Sequence, residues 1–414
     1  MVHYKQLDNG IRLIVKQMSG LLSVTMGIIV GTGACVETDE EDGISHFIEH
    51  MMFKGTKKRT AFKISDEMDA IGAQVNAFTG KDITCYYAKS TSDHAAEAFE
   101  ILSDIFLNST FPADEMKREK GVIIEEISMN EDTPDDLCLD LLSKAFFGDK
   151  NYGRNILGPR KNVRGFKKSD VLAYMSERYT ADNIVISMAG NISVEEAQGL
   201  VEKYFADVPR GSGIRRTVDV RLQSKNLSKK KDIEQVHIGI AYPSMKRYEP
   251  LADATMIVNA VLGGSMSSRL FQEVREKRGL AYTVYSYLTS YKDTGSLVIY
   301  AGVNSDNYMQ SVEAIDACIR DIKNKNITEY EFHRGKEQLL SSQIFAQEST
   351  SSQMLLYGKE LIYSGNIYNF EDLHEMALYP CAYSMTFNVS GNTLNAILNQ
   401  RSQDMLAANN WNVC

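Results

Sequence analysis

The residues with the clearest chemical potential form the segment His46-Phe47-Ile48-Glu49-His50. On a helix, positions i, i+3 and i+4 share one face, so both imidazoles and the carboxylate point the same way. Two histidines one turn apart can bind one zinc ion at about 2.0–2.1 Å from their nitrogens. The HxxEH pattern therefore predicts a zinc site with Glu49 as general base. The alternative is a pair of structural histidines with a surface glutamate.

A third metal ligand is needed, because catalytic zinc commonly takes three protein ligands and leaves a fourth position to water. The stretch 116–131, MKREKGVIIEEISMNE, predicts a helix that offers Glu119, Glu125 and Glu126. Glu119 and Glu126 lie two turns apart on one face, whereas Glu125 is rotated by about 100° from Glu126. Spacing alone does not choose between Glu119 and Glu126. Glu125 fits an exposed helix face.

The segment HFIEHMMFKGT resembles the metal-binding helix of the pitrilysin family, in particular its mitochondrial processing peptidase branch. In that family the third ligand lies about 76 residues past the second histidine, which implies Glu126 here. A family glutamate seven residues earlier matches Glu119, and the resemblance implies that this residue is a supporting acid. The resemblance also implies Zn²⁺ as the cofactor.

The resemblance continues through residues 72–89, GRNILGPRKNVRGF at 153–166 and YTADNIVISMAGNI at 179–192, so it covers nearly the whole first half, and it extends into the second. GAQVNAFTGKDITCYYAK, residues 72–89, resembles an edge strand on which the family binds peptide substrates as an added strand. SSRLFQEVREKRGLAYTV, residues 267–284, resembles a segment with a family Arg/Tyr pair. The residues implied are Asn76, Ala77, Phe78 and Tyr87 for substrate binding, and Arg275 and Tyr282 as groups that stabilise the oxyanion.

The Arg/Tyr pair has a simpler interpretation without the resemblance. Arg275 is then one more charge on a solvated helix. Tyr282 is a half-buried strand residue beside Gly279, which is typical of the position just past a helix end.

Periodicity predicts elements that place these residues. β-branched runs bounded by breakers predict strands, and apolar residues at helical spacing predict helices. The predicted strands are 11–16, 22–30, 184–191 and a pair within 74–89 around a turn at 79–82. One predicted helix begins near Gly43. The others cover 63–71, which ends at Gly72, 93–108 and 113–131.

The second half of the sequence faintly repeats the first. VHIGIAYPSM at 236–245 is similar to VTMGIIVGTG at 24–33, and a predicted helix follows each strand. We therefore expect an α+β fold with two similar halves, an N-terminal zinc-binding half at 1–212 and a C-terminal half at 233–414, joined by a linker at 213–232. The resemblance implies that each half is a mostly antiparallel sheet with helices packed on it, in a clamshell arrangement.

Composition narrows the functional class. The 414 residues carry a net charge of −9, which disfavours a nucleic-acid partner because such proteins present a basic face. The longest apolar run is too short to span a bilayer, and the N-terminus has no signal or transit pattern, so we expect no membrane and a cytoplasmic location. Six scattered cysteines predict free thiols in a reducing compartment: Cys35, Cys85, Cys138, Cys318, Cys381 and Cys414.

These observations predict a zinc metalloendopeptidase that cleaves unfolded peptides or presequences. The resemblance implies a homodimer in which Arg275 and Tyr282 act on the partner's site. The main rival is a catalytically silent partner or scaffold subunit of a heterodimeric peptidase. The acidic loop at 37–42, ETDEED, leaves several interpretations open: it attracts basic substrates and complements the dipole of the following helix, or it is simply solvated.

Overall fold

The structure is a computed structural model, and it describes residues 2–211, 218 and 220–365. The described chain forms two compact units, each of which combines segments that are distant in sequence. The first unit contains residues 2–128, 154–211, 218 and 345–365. The second contains residues 129–153 and 220–344.

The first unit is built on a six-stranded sheet with the order β1-β2-β6-β3-β5-β4. The strands β2 and β6 pair in parallel, and every other neighbouring pair is antiparallel. Among the described residues β4 pairs only with β5, so β4 forms one edge of the sheet. The strands are β1 Val2–Gln6, β2 Arg12–Gln17, β3 Ser23–Val30, β4 Gln74–Thr79, β5 Thr84–Thr91 and β6 Ile184–Gly190.

Helices cover one face of this sheet and form the larger core with it. The side chains of a strand alternate between faces, so in β3 the even-numbered residues Val24, Met26 and Ile28 enter this core. The helices of the first unit are α1 Ile44–Met52, α2 Ala61–Ala70, α3 Ala95–Asn108, α4 Ala113–Asp132, α6 Arg160–Gly165, α7 Lys168–Arg178, α8 Val194–Phe205 and α12 Thr350–Tyr363.

The helix α12 packs on the opposite face of the sheet, although it follows the rest of the first unit by more than a hundred residues. The hydroxyl oxygens of Thr25 and Thr350 lie 2.8 Å apart, and Ser187 Oγ donates to the Met354 carbonyl at 2.7 Å. Gly358 allows close approach, because a Cβ there would lie 2.1 Å from Ile29 Cδ1. Small residues therefore bring helix and sheet into direct contact.

The second unit contains a three-stranded antiparallel sheet with the order β7-β9-β8. One face joins an apolar core with α10, and the other packs against α5 through residues such as Leu142 and Val298. The elements are α5 Pro134–Phe147, β7 Gln235–Pro243, α9 Ala252–Leu262, β8 Ala281–Ser290, β9 Gly295–Asn304, α10 Tyr308–Lys325 and α11 Glu329–Gln347, whose last residues belong to the first unit.

The prediction of mostly antiparallel sheets with helices packed on them is confirmed, and so are the predicted strands and helices of the first half. The exchange of α5 and α12 between the sequence halves was not predicted. Of the linker predicted at 213–232, residues 213–217 and 219 lie outside the described residues. So do residues 366–414 of the predicted half 233–414. The predicted domain limits and clamshell arrangement stay predictions. Within the described part of the chain, the helices are too short or too polar to cross a bilayer.

The contact of α12 with the sheet predicts a large difference between two glycine substitutions. Gly358→Leu forces a side chain against Ile29 and Ser187, and we expect it to lower the free energy of unfolding by about 1–3 kcal/mol. The matched control is Gly199→Leu in α8, where a Cβ meets nothing within 4 Å. It should be neutral or stabilising by up to about 1 kcal/mol. Urea unfolding measures both, and equal stability of the two variants would contradict the packing of α12.

Candidate metal centre

The helix α1 is fixed by one buried face, which determines where its polar side chains point. Phe47, Ile48, Met51 and Met52 are fully buried in the core of the first unit. His46, Glu49 and His50 extend from the remaining part of the helix, which faces α4 and β4. The apolar residues of the motif thus orient its polar ones.

The N-terminus of α1 is held by Glu37, a buried carboxylate that is only 4% exposed. Its two oxygens accept hydrogen bonds from the backbone N–H groups of Gly43 at 2.8 Å and Ser45 at 2.9 Å. These are donors that a helix start leaves without intrahelical partners. Burial raises the pKa of the Glu37 carboxyl to about 7, and the hydrogen bonds from Ser45 and Gly43 oppose this rise.

The rest of the acidic loop is also held by the fold. Arg154 contacts Asp39 at 2.5 Å and Asp42 at 2.9 Å, and Arg178 contacts Glu41 at 3.0 Å. The interpretation of the loop as a complement to the helix dipole is therefore supported by Glu37. The interpretation of the loop as merely solvated is wrong for the three carboxylates that form these ion pairs.

Three potential ligands converge between α1 and α4. Glu126 Oε2 lies 3.7 Å from His46 Nε2 and 3.4 Å from His50 Nε2. Ligand atoms of all three residues lie within 4.8 Å of one another. A tetrahedral zinc site with bonds of about 2.0–2.1 Å separates its ligands by about 3.4 Å. Among the described residues this is the one group of three such side chains that could hold a metal.

The charges of these groups fit a divalent cation. Burial and the neighbouring His50 lower the pKa of His46 to about 4, so its ring nitrogen is available as a ligand at neutral pH. The hydrogen bond with His50 lowers the pKa of Glu126. Burial lowers the pKa of His50, but contacts with Glu126 and Glu119 outweigh this effect and raise it. Two imidazoles and one carboxylate are donors that zinc accepts.

Glu119 fixes the ring of His50 from the side opposite Glu126. Its Oε2 lies 3.1 Å from His50 Nδ1, which leaves Nε2 towards Glu126. Lys54 Nζ contacts the other oxygen of Glu119 at 2.6 Å, and Glu119 is only 5% exposed. Metal-binding histidines are commonly oriented through their second nitrogen in this way. His46 differs, because its buried Nδ1 has no hydrogen-bond partner among the described residues.

Glu49 contacts the edge strand through Thr79. The Thr79 hydroxyl donates to Glu49 Oε2 at 2.5 Å, and the Thr79 backbone adds a second hydrogen bond to this carboxyl. Burial raises the pKa of Glu49, and the hydrogen bond from Thr79 opposes this rise. The charges of His50 and Glu126 also affect this pKa, so Glu49 lies beside the converging ligands. Glu125 is exposed, as the sequence predicted.

The predicted substrate-binding residues lie on the edge strand β4 and its neighbour. Asn76 is exposed and pairs across the strands with Tyr87, which is half-buried. Ala77 packs against the core, whereas the ring of Phe78 lies 5.7 Å from Lys359 Nζ of α12. The strand therefore presents its residues alternately to both faces, with one backbone edge unpaired by the sheet.

Arg275 and Tyr282 lie in the second unit, at two irregularities of the backbone. Arg275 lies in a π-helical turn at Phe271–Glu276, and its guanidinium is 4.7 Å from the Phe271 ring and 5.4 Å from the Tyr282 ring. A bulge in β8 at Ala281 and Thr283 exposes Tyr282 by 75%. The interpretation of Tyr282 as half-buried is thus wrong. Gly279, with φ +60°, ends the turn as predicted.

Two contacts of the site were not predicted from the sequence: Lys54 on Glu119 and Thr79 on Glu49. Lys54 lies four residues after His50, a helical spacing that could have indicated its proximity. Thr79 carries no such local signal. Four of the cysteines predicted as free thiols, Cys35, Cys85, Cys138 and Cys318, are buried and form no disulfide among the described residues. Cys381 and Cys414 lie outside the described residues.

Family models match the chain in succession. The model described as Insulinase (Peptidase family M16) matches residues 13–160, and the model described as Peptidase M16 inactive domain matches residues 165–339. A third model, described as Thymidylate synthase, matches residues 359–414, of which 366–414 lie outside the described residues. The sequence interpretation did not include this last similarity.

Curated relatives cover almost the whole chain. The "Uncharacterized zinc protease YmxG" of Bacillus subtilis is 42% identical over 366 residues, which are 88% of this chain and 89% of the relative. An "Uncharacterized zinc protease" of Rickettsia felis is 35% identical over 376 residues, 90% of each chain. Their names contain no substrate.

Solved structures share the fold at low identity. A peptidase M16 inactive domain from Pseudomonas fluorescens matches with a TM-score of 0.86 and 20% identity, over 96% of this chain and 94% of the other. A protease from Helicobacter pylori matches with a TM-score of 0.84 and 19% identity, over 97% and 96%. Helices packed on mostly antiparallel sheets are thus common to these chains.

The contact between Glu119 and His50 predicts an effect on metal affinity. Glu119→Gln weakens the acceptor that orients His50, and we expect zinc affinity to fall about 10-fold to 100-fold. Glu125→Gln, an exposed change on the same helix, should leave the affinity unchanged. Competition with a zinc-sensitive dye measures both. Equal affinity of Glu119→Gln and wild type would show that Glu119 does not support the ligand.

The raised pKa of Glu37 predicts that stability falls as pH rises. The contribution of a group with a raised folded-state pKa is fully present below its ordinary pKa of 4.5 and is lost as pH rises towards about 7. In metal-free protein this loss is at most about 3 kcal/mol. Glu37→Gln does not titrate, and it should be less stable at pH 5 by about 1–2 kcal/mol because one backbone donor loses its acceptor.

The deficit of Glu37→Gln should therefore shrink between pH 5 and pH 8. Urea titrations of both proteins at each pH measure it, because the contributions of other titrating groups cancel in the difference. A deficit that stays constant with pH would contradict a raised pKa at Glu37.

Proposed function

The chain belongs to peptidase family M16, and we propose that it is a zinc-dependent endopeptidase that cleaves unfolded peptides or presequences. The observation that carries this proposal is the convergence of His46, His50 and Glu126, with Glu49 beside them. The relatives are named zinc proteases, and this name agrees with the donor set.

His46, His50 and Glu126 would hold the metal. When bound, zinc lowers the pKa of a water molecule to about 7 and polarises a carbonyl oxygen. Glu49 removes a proton from the attacking water and later gives it to the leaving amine. Glu49 suits this role because the Thr79 hydroxyl holds its Oε2 beside the converging ligands.

A peptide binds to the open edge of β4 as an added strand. Its backbone hydrogen bonds to β4 tolerate many sequences, and selectivity comes from side chains near the strand, including Asn76, Phe78 and Tyr87. Since β4 ends at Thr79 and Thr79 contacts Glu49, a peptide on this edge passes close to the proposed base. Added-strand binding requires an extended chain, which favours unfolded substrates.

Arg275 and Tyr282 are proposed to stabilise the negative charge that develops on the carbonyl oxygen. The exposed phenol of Tyr282 and the guanidinium of Arg275, beside two aromatic rings, are groups that donate hydrogen bonds to an oxyanion. The proposal includes a homodimer, in which these residues act on the partner's site. The cytoplasmic location and the processing-peptidase branch stay predictions, because the matched models and relatives name only the family.

The alternative function is a silent partner subunit. The region matched by the inactive-domain model, residues 165–339, contains no HxxEH segment, so each chain offers one such site. That site contains the converging ligands His46, His50 and Glu126, with Glu49 beside them. This set favours the active peptidase over the silent subunit.

The test compares wild type with Glu49→Gln on a library of quenched peptides, with zinc quantified in both proteins. We expect wild type to cleave and Glu49→Gln to keep about one zinc per chain while losing activity by about 100-fold or more, because it lacks the general base. Glu40→Gln, an exposed change in the acidic loop, is the control and should remain active. A wild type that binds zinc but cleaves nothing would support the silent subunit, and a chain without zinc would contradict the metal centre.

A further inference from the structure

Thr79 occupies a position that connects two parts of the proposed site. It is the last residue of the edge strand β4, and it pairs across the strands with Thr84 of β5. Its side chain points to the face of the sheet covered by α1, where the hydroxyl donates to Glu49 Oε2 at 2.5 Å. The proposed peptide-binding edge and the proposed base are therefore in direct contact through one hydroxyl.

The backbone around Thr79 is held on both sides, so the hydroxyl has a fixed position. The turn that follows it accepts hydrogen bonds from the Ala34 and Cys35 amides, through the carbonyls of Gly80 and Lys81 at 3.2 and 2.9 Å. Gly80 in turn donates to the Ile83 carbonyl at 2.8 Å. A hydrogen-bond donor on so restrained a segment can fix the orientation of a neighbouring carboxylate.

Glu49 has few other constraints. Its carboxylate belongs to the end of a flexible side chain on α1, and Thr79 is its one hydrogen-bonding side chain among the described residues. A carboxylate takes up a proton at only one oxygen at a time, so the base works best when one oxygen is held and the other faces the water. The contact with Thr79 holds one of the two oxygens, Oε2.

We propose that Thr79 is a positioning residue that orients Glu49 for proton removal and couples this orientation to the peptide-binding strand β4. The inference rests on the proposed function, because it assigns Glu49 as the base. A peptide that pairs with β4 restrains the strand whose last residue holds Glu49. The strand that binds the peptide therefore also holds the base in its working orientation.

The experiment compares Thr79→Val, which removes the hydroxyl at nearly constant volume, with Thr79→Ser, which keeps it. We expect Thr79→Val to lower kcat about 10-fold to 100-fold, with KM for a quenched peptide changed less than threefold and zinc content unchanged. Thr79→Ser should keep kcat within about threefold of wild type. Thr25→Val, which removes a threonine hydroxyl on the opposite face of the sheet, is the control for general loss of stability.

A second measurement does not depend on activity or on metal. Crystal structures of metal-free wild type and Thr79→Val would show whether Glu49 keeps its orientation. We expect Oε2 within hydrogen-bond distance of Thr79 in wild type and a rotated or multiply oriented carboxylate in Thr79→Val. An unchanged Glu49 in Thr79→Val would overturn the inference.

The kinetic results give further outcomes. Equal kcat for Thr79→Val and wild type would overturn the positioning role. A loss in Thr79→Ser as large as in Thr79→Val would also overturn it, because the hydroxyl would then not be the group that matters. If wild type cleaves no peptide, the proposed function fails, and the orientation of Glu49 in the metal-free crystals still decides whether Thr79 holds this side chain.

Discussion

The candidate metal centre depends on a fixed distance between α1 and α4, since one helix carries both histidines and the other carries Glu126 and the supporting Glu119. Burial of Phe47, Ile48 and Met51 fixes the rotation of α1 about its axis, and Glu37 fixes its first turn. A displacement of one ångström would separate ligands that now lie 3.4–3.7 Å apart. The apolar core thus determines the geometry of a polar site.

Much of the site could be predicted where its signal is local. The spacing of His46, Glu49 and His50 within one helix turn indicates a common face. The third ligand could not be assigned by spacing, because Glu119 and Glu126 share a face of α4; the structure separates them, with Glu126 facing both histidines and Glu119 behind His50. Contacts such as Thr79 with Glu49 join distant segments, and no periodicity reports them.

The fold was predictable to a similar depth. Alternation in β3 and helical spacing in α3 indicate which residues are buried, and the structure confirms these elements. Periodicity does not indicate which sheet a helix covers, so the assignment of α5 and α12 to the units opposite their sequence halves needed the tertiary structure. Tyr282 shows the same limit, because a bulge in β8 leaves its side chain exposed where alternation predicted a half-buried one.

The position of α12 affects how the protein folds during its synthesis. The strands of the six-stranded sheet are complete by Gly190, yet the helix that covers their second face ends only at Tyr363. At a synthesis rate of roughly 5–20 residues per second, that face stays uncovered for roughly 10–35 s, until α12 has been synthesised. A nascent chain therefore contains the HxxEH segment long before α12 covers the second face of its sheet. An unfinished chain would therefore expose one face of its sheet, and such transiently exposed surface favours aggregation.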